Sequence, residues 1–166
     1  VISVAGISRI PFRLREHMSL VNERIISALS ALGVEGLSLQ GISDIAIGDR
    51  KLLGSSLYRK RDTVLYQGSL LVAPDLRLID RYLKHPLKEP AYRRRRSHAD
   101  FITSLQARGY RLAPEQVAAG VREALEESNP WEGCKPGTGT TTERMDESPA
   151  PGMPVRAGGG EQHEPQ

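Results

Sequence analysis

The stretch that most constrains this chain is Gly41-Ile-Ser-Asp-Ile-Ala-Ile-Gly-Asp-Arg-Lys-Leu-Leu-Gly-Ser-Ser-Leu-Tyr-Arg59. Asp44 to Ile47 is short and rich in β-formers, Gly48-Asp49 is a turn dipeptide, and Arg50 to Tyr58 resumes as a second run. That order predicts a β-hairpin. Thr63 to Val72 supplies a further strand, interrupted at Gln67-Gly68-Ser69 by small and polar residues. Lys51 sits just past the turn, three positions before Gly54-Ser55-Ser56, where absent or tiny side chains let a ligand approach the backbone. The two small-residue patches and the lysine are expected to face one cleft.

A sheet built on this hairpin needs helices to cover it. Met18, Val21, Ile25, Leu29 and Leu32 recur every three or four residues and Gly33 follows, which predicts an amphipathic helix over about 15–32. Val1 to Ile7 reads as a strand, and Gly36 to Gln40 alternates weakly as another. Leu76, Ile79, Tyr82 and Leu83 continue at helical spacing until Pro86, a short helix is expected across 97–105, and Pro114 opens a last one with Val117, Val121, Ala124 and Leu125 inward. Strand and helix signals along the chain predict a sheet covered by helices.

Composition sets the limits. The 166 residues are 39% apolar, enough for one core. Residues 1–128 form the expected domain. From Asn129 onward Gly, Pro, Ser, Thr, Glu and Gln dominate, so 129–166 is expected to be a disordered tail. The formal charge of +3 is small and owes much to Arg93-Arg94-Arg95-Arg96, read as a solvated face or as an attractor for an acidic partner or a phosphate. No nucleic-acid partner is expected. The one cysteine, Cys134, leaves no internal disulfide, and no stretch has the length and apolarity of a membrane span. A cytoplasmic setting is the default.

Few familiar catalytic patterns occur. Histidines 17, 85, 98 and 163 lack metal-ligand spacing, so no zinc site and no metal-ligating residues are expected, and no Walker loop, dinucleotide fingerprint or Gly-x-Ser-x-Gly elbow is found. Lys51 stands apart. An ammonium at that place can neutralise charge growing on a phosphoryl or carbonyl oxygen; the plainer alternative is a lysine that protects an edge strand from aggregation.

Asp44-Ile-Ala-Ile-Gly-Asp-Arg-Lys51, then Gly54-Ser55, then Tyr66-Gln67-Gly68-Ser69-Leu70-Leu71 resembles the lipoate-protein ligase A family, in the order of its Asn-Asp, Lys, Gly-Ser/Asn and His-His-Gly-Thr-Leu-Leu elements. The likeness runs over about 1–127. It implies an α/β (α+β) domain, a mixed sheet with packed helices in a biotin/lipoate protein ligase-like fold related to class II synthetases, that uses ATP and Mg2+ to activate lipoate or octanoate as an acyl-adenylate. The acyl group then passes to a lysine of a lipoyl carrier domain, in 2-oxo acid dehydrogenase complexes or the glycine cleavage H protein. The resemblance assigns Lys51 to the acyl carbonyl and α-phosphate region and Asp44 to the nucleotide. Ser43, Gly54, Ser55, Gln67, Gly68 and Ser69 complete the substrate and nucleotide contacts.

The chain departs from the family at Ser43, where the family has Asn, and at Tyr66-Gln67, where it often has a His pair. The family's Arg-Arg-x-x-Gly-Gly-Gly element is not in this sequence, and the first residue is Val. A piece of a longer ligase is the expectation, with a shortened homologue as the other option. Two other functions stay open: an ATP-independent octanoyl transferase of the same fold, and a non-catalytic module that binds an acyl carrier.

Overall fold

The computed structural model describes residues 1–8, 13–127 and 130–131. Five strands, β1 (Ile2–Ile7), β2 (Leu37–Gln40), β3 (Asp44–Ile47), β4 (Arg50–Lys60) and β5 (Thr63–Leu70), form one sheet in the order β1-β5-β4-β3-β2. Every neighbouring pair is antiparallel. Among the described residues the parallel component of the expected mixed sheet is a single bridge between Lys51 and Ile102. Gly48 turns the predicted hairpin with a φ of +60°, a conformation open to glycine at little cost.

Among the described residues four α-helices accompany the sheet: α1 (Leu14–Ala31), α2 (Leu76–Tyr82), α3 (His98–Phe101) and α4 (Pro114–Glu126). The second is shorter than its spacing suggested, ending before Leu83, and the third covers only the start of 97–105. There Ile102 leaves the helix to bridge Lys51, and a tertiary backbone pairing wins over helical continuation. None of the helices among the described residues is long and apolar enough to cross a membrane.

Helix α1 buries Met18, Val21, Ile25, Ala28 and Leu29, and packs on α4 and on strands β2, β3 and β4. Under it lie Ile45, Ile47, Leu53, Val64 and Tyr66, all buried. Two polar side chains of α1 are enclosed as well. His17 shares a 2.8 Å hydrogen bond with Ser8 Oγ and contacts the Arg13 carbonyl at 3.0 Å through its other ring nitrogen. Asn22 Oδ1 accepts a 2.6 Å bond from the Tyr66 hydroxyl. Burial pushes that hydroxyl's pKa up to about 12, against a smaller opposite effect of the neighbouring Ser55 side chain.

Two expectations need correction. The domain does not stop at residue 128: Trp131 is fully buried, and its indole N–H points at the His17 carbonyl at 3.4 Å. Composition averaged over the segment hides one aromatic whose burial removes a large apolar area from water. The rest of the expected tail, 132–166, lies outside the described residues, as does Cys134.

The arginine run is also not one solvated face. Arg93 is 5% exposed, its guanidinium 4.8 Å from the Phe101 ring centre and its Nε 3.4 Å from Glu89. Arg96 reaches Asp49 on the hairpin turn, donating to the side chain at 2.7 Å and to the carbonyl at 2.8 Å. Arg94 and Arg95 are the exposed pair.

Trp131→Ala is expected to lower unfolding free energy by about 3–5 kcal/mol, the usual cost of emptying an aromatic site. Urea unfolding followed by far-ultraviolet circular dichroism checks it; a change below about 0.5 kcal/mol, typical of surface positions, would show that the indole does not support the core.

Candidate functional site

The site grows from an irregularity in the hairpin. Ile45 pairs with Leu53 but the next residue, Ala46, pairs with Lys51, so Leu52 is an extra residue in β4. A β-bulge of this kind puts two residues against one and changes which way the following side chains point. Leu52 and Leu53 are both fully buried, and Lys51 and Gly54, three apart, come to share a face. Side chains alternate along a regular strand, and positions three apart would lie on opposite faces without the bulge.

Lys51 therefore lies back over Gly54. A Cβ added at Gly54 would stand 2.6 Å from both Cε and Nζ of Lys51 and 3.7 Å from Asp44 Oδ1. Glycine is needed here for space. The ammonium meets Asp44 Oδ1 at 2.8 Å, with the lysine side chain 30% and the aspartate side chain 6% exposed.

Asp44 is saturated. Its Oδ1 also receives the Ser43 hydroxyl at 3.3 Å, and its Oδ2 accepts a 2.8 Å hydrogen bond from the Tyr92 hydroxyl. A carboxylate this enclosed persists only when paired and hydrogen-bonded. The pKa of Tyr92 lies far above the ordinary phenol value, first through burial and then through its bond to Asp44 and that carboxylate's charge. Tyr92 had no signal in the hairpin pattern, since it stands 48 residues from Asp44 in sequence.

The small-residue patches divide between the two faces of the sheet. Gly54 pairs with Ser69 and Ser56 with Gln67, so Gly54, Gln67 and Ser69 share the face of Lys51 and Asp44. Ser55 pairs with Gly68 on the α1 side, beside Tyr66. A Cβ at Gly68 would lie 3.0 Å from the Tyr66 hydroxyl oxygen. Ser55 donates from Oγ to the Ser43 carbonyl at 2.7 Å, and its backbone N–H reaches the same oxygen at 3.1 Å. Ser43, Asp44, Lys51 and Gly54 are thus brought together, with Gln67 and Ser69 further along their face. Ser55 holds the Ser43 backbone from the other side.

Among the described residues no group of three His, Cys, Asp or Glu side chains is placed to hold a metal ion. What the arrangement offers is an ammonium oriented by a buried carboxylate and free of side-chain bulk beneath it.

Residues 5–126 match the family described as the lipoyl protein ligase A/B catalytic domain, and the chain belongs to that family. It is 38% identical over 65 residues to lipoate-protein ligase A of Psychrobacter cryohalolentis, across 39% of this chain and 19% of that protein. The fold is similar to that of a lipoate-protein ligase A crystallised with ATP, at a TM-score of 0.60 and 19% identity over 75% of this chain and 49% of the other. It is also similar to a bipartite lipoate protein ligase of Thermoplasma acidophilum, described with its E2 lipoyl domain, at 0.62 and 18% over the same shares. A biotin protein ligase of Aquifex aeolicus with biotin and ATP follows at 0.53 and 14%, over 75% of this chain and 47% of that one. The chain spans about half the length of these solved relatives.

Two outcomes test the geometry. Gly54→Ala is expected to displace the lysine rather than the strand, costing about 1–3 kcal/mol as Asp44 loses a partner, and the cost should vanish in a Lys51→Ala background. Equal costs in both backgrounds, read by urea unfolding, would mean that the added methyl meets something else.

The second outcome concerns Tyr66. Its folded pKa is raised above the unfolded value, so its contribution to stability is complete below pH 10 and is lost as pH rises toward 12. About 3 kcal/mol should disappear across that window at 1.36 kcal/mol per unit. Tyr66→Phe should flatten the decline, and an unchanged slope would contradict the assignment.

Proposed function

We propose that this domain is the Lys51-bearing part of a lipoate-protein ligase, which joins lipoate or octanoate to a carrier lysine through an acyl-adenylate. The observation that carries the reading is the Lys51 ammonium, held at 2.8 Å by buried Asp44 over a glycine. Membership of the ligase family and fold likeness to a ligase crystallised with ATP support it.

In the first half-reaction the acyl carboxylate attacks the α-phosphorus of ATP, the bond to pyrophosphate breaks, and pyrophosphate leaves with its electron pair. Lys51 meets the negative charge that gathers on the α-phosphoryl and acyl carbonyl oxygens. Asp44 fixes the ammonium beforehand, so little reorganisation is needed as charge develops. In the second half-reaction the ε-amine of a carrier lysine attacks the acyl carbonyl, AMP departs with the electrons of the broken C–O bond, and the nitrogen loses a proton. Lys51 serves the carbonyl oxygen again. Ser43, Gly54, Gln67 and Ser69 line the face on which the adenylate rests, while Ser55 and Gly68 support it from behind.

Mg2+ accompanies ATP in the resemblance, and it binds largely through phosphates and water. The described residues do not make a seat for it, because both oxygens of Asp44 are already engaged. The steps above use the chain's own groups alone. The carrier is a lipoyl domain, in keeping with the E2 lipoyl domain described for the Thermoplasma ligase, or a glycine cleavage H protein, and the reaction takes place in the cytoplasm.

Lipoate-dependent ATP–pyrophosphate exchange by the full-length protein tests this. Lys51→Met should slow exchange about 10²–10³-fold, the cost of removing one preorganised donor, with the circular dichroism spectrum unchanged. Pairing it with Asp44→Asn removes the uncompensated charge if the single variant is unstable. Undiminished exchange would end the assignment of Lys51. Transfer from an octanoyl thioester without ATP would point instead to the transferase, and carrier binding without either reaction to a non-catalytic module.

A further inference from the structure

Residues 89–103 form a strap that grips the Lys51 strand at both of its own ends. At one end the Tyr92 hydroxyl donates to Asp44 Oδ2 at 2.8 Å, and Asp44 Oδ1 holds the Lys51 ammonium at 2.8 Å. At the other, the Thr103 N–H donates to the Lys51 carbonyl at 2.9 Å, beside the parallel bridge from Ile102. One short segment thus controls both the backbone and the charged head of Lys51.

The strap is braced far more heavily than a surface connection requires. The Tyr92 ring packs 5.0 Å from the Phe101 ring centre, Arg93 lies over the same ring, and Arg96 ties the strap to Asp49 on the hairpin turn. Arg50 adds a 3.3 Å bond to the Ala99 carbonyl. Between the anchored arginines, Arg94 and Arg95 have φ values of +53° and +58°, a left-handed conformation that side chains of this size rarely adopt. Backbone held there persists only where the surrounding contacts over-determine it.

We propose that Tyr92 is a positioning residue for Lys51. By occupying Asp44 Oδ2, it keeps the carboxylate turned so that only Oδ1 faces the ammonium, which leaves the other two ammonium hydrogens for a substrate oxygen. Without the tyrosine hydroxyl, Oδ2 is a buried acceptor in need of a donor. The nearest charged donor is Lys51, and the ammonium is drawn onto both oxygens and away from the open face. The elevated pKa of Tyr92 keeps its proton in place at any working pH. The role of Tyr92 in the reaction rests on the reading of Lys51 as the group that meets the adenylate, whereas its hold on Lys51 does not.

Tyr92→Phe removes the hydroxyl and keeps the ring on Phe101. Trace acetylation with acetic anhydride, read at each lysine by mass spectrometry, reports how available the Lys51 amine is without requiring turnover; exposed Lys60, Lys84 and Lys88 serve as internal references. In the full-length protein, Tyr92→Phe should slow labelling of Lys51 at least about fivefold relative to those references, a size usual for coupling between touching residues. The effect should vanish in an Asp44→Asn background, and kcat for pyrophosphate exchange should fall more than KM for ATP rises. Lower thermal stability with unchanged Lys51 labelling would make Tyr92 a merely structural residue and overturn the proposal, as would an equal effect with and without Asp44. These failures are separate from that of the Lys51 assignment, which falls if Lys51→Met retains exchange, and from that of the ligase reading, which falls if the protein that keeps Lys51 shows no lipoate-dependent exchange while the labelling effect of Tyr92→Phe persists.

Discussion

The contact between Lys51 and Asp44 governs how the middle of this molecule is built. A carboxylate with 6% of its side chain exposed must be paired, and a lysine can reach it here only because β4 carries one residue too many. The bulge at Leu52 turns Lys51 and Gly54 to the same side, and the missing Cβ of Gly54 leaves a channel for the lysine chain. Changing any of the three (the extra residue, the glycine or the acid) disturbs the other two. Leu52 and Leu53, both driven into the core, hold the bulge open from below.

The two faces of the sheet divide the work. One is mostly apolar and faces α1, and its polar groups are paired locally: His17 with the Ser8 hydroxyl and the Arg13 carbonyl, the Tyr66 hydroxyl with Asn22 Oδ1, and Ser55 with the Ser43 carbonyl. The other carries Asp44, Lys51, Gln67 and Ser69, and is overlain near Asp44 by the strap that brings Tyr92. Rigidity on the first face gives precision on the second, since the ends of β3 and β4 cannot shift without disturbing packed leucines and isoleucines.

Much of this was legible in the residues. The Gly48-Asp49 turn, the helical spacing of Met18 to Leu29 and the strand from Thr63 are local signals, and each element formed within a few residues of its expected place. The ligase resemblance rests on the same stretch and agrees with the family match over 5–126. The division of Gly54-Ser55 and Gly68-Ser69 between opposite faces follows from the period of two along a strand, but deciding which member faces the lysine required the bulge. Two adjacent leucines do not announce one. Tyr92 and Trp131 were hidden for another reason: each acts through a single contact with a residue far away in sequence, and neither spacing nor average composition registers that.

Trp131 is the chain's one tryptophan, and it is wholly screened from water against α1. Its indole is therefore a natural fluorophore placed where the segment after α4 meets the body of the domain. Light emitted by this one ring reports on a single joint. A shift of its emission to the red would reveal water entering there even while the sheet and its lysine stay in order, so undocking of that segment can be timed apart from unfolding of the rest with no added label.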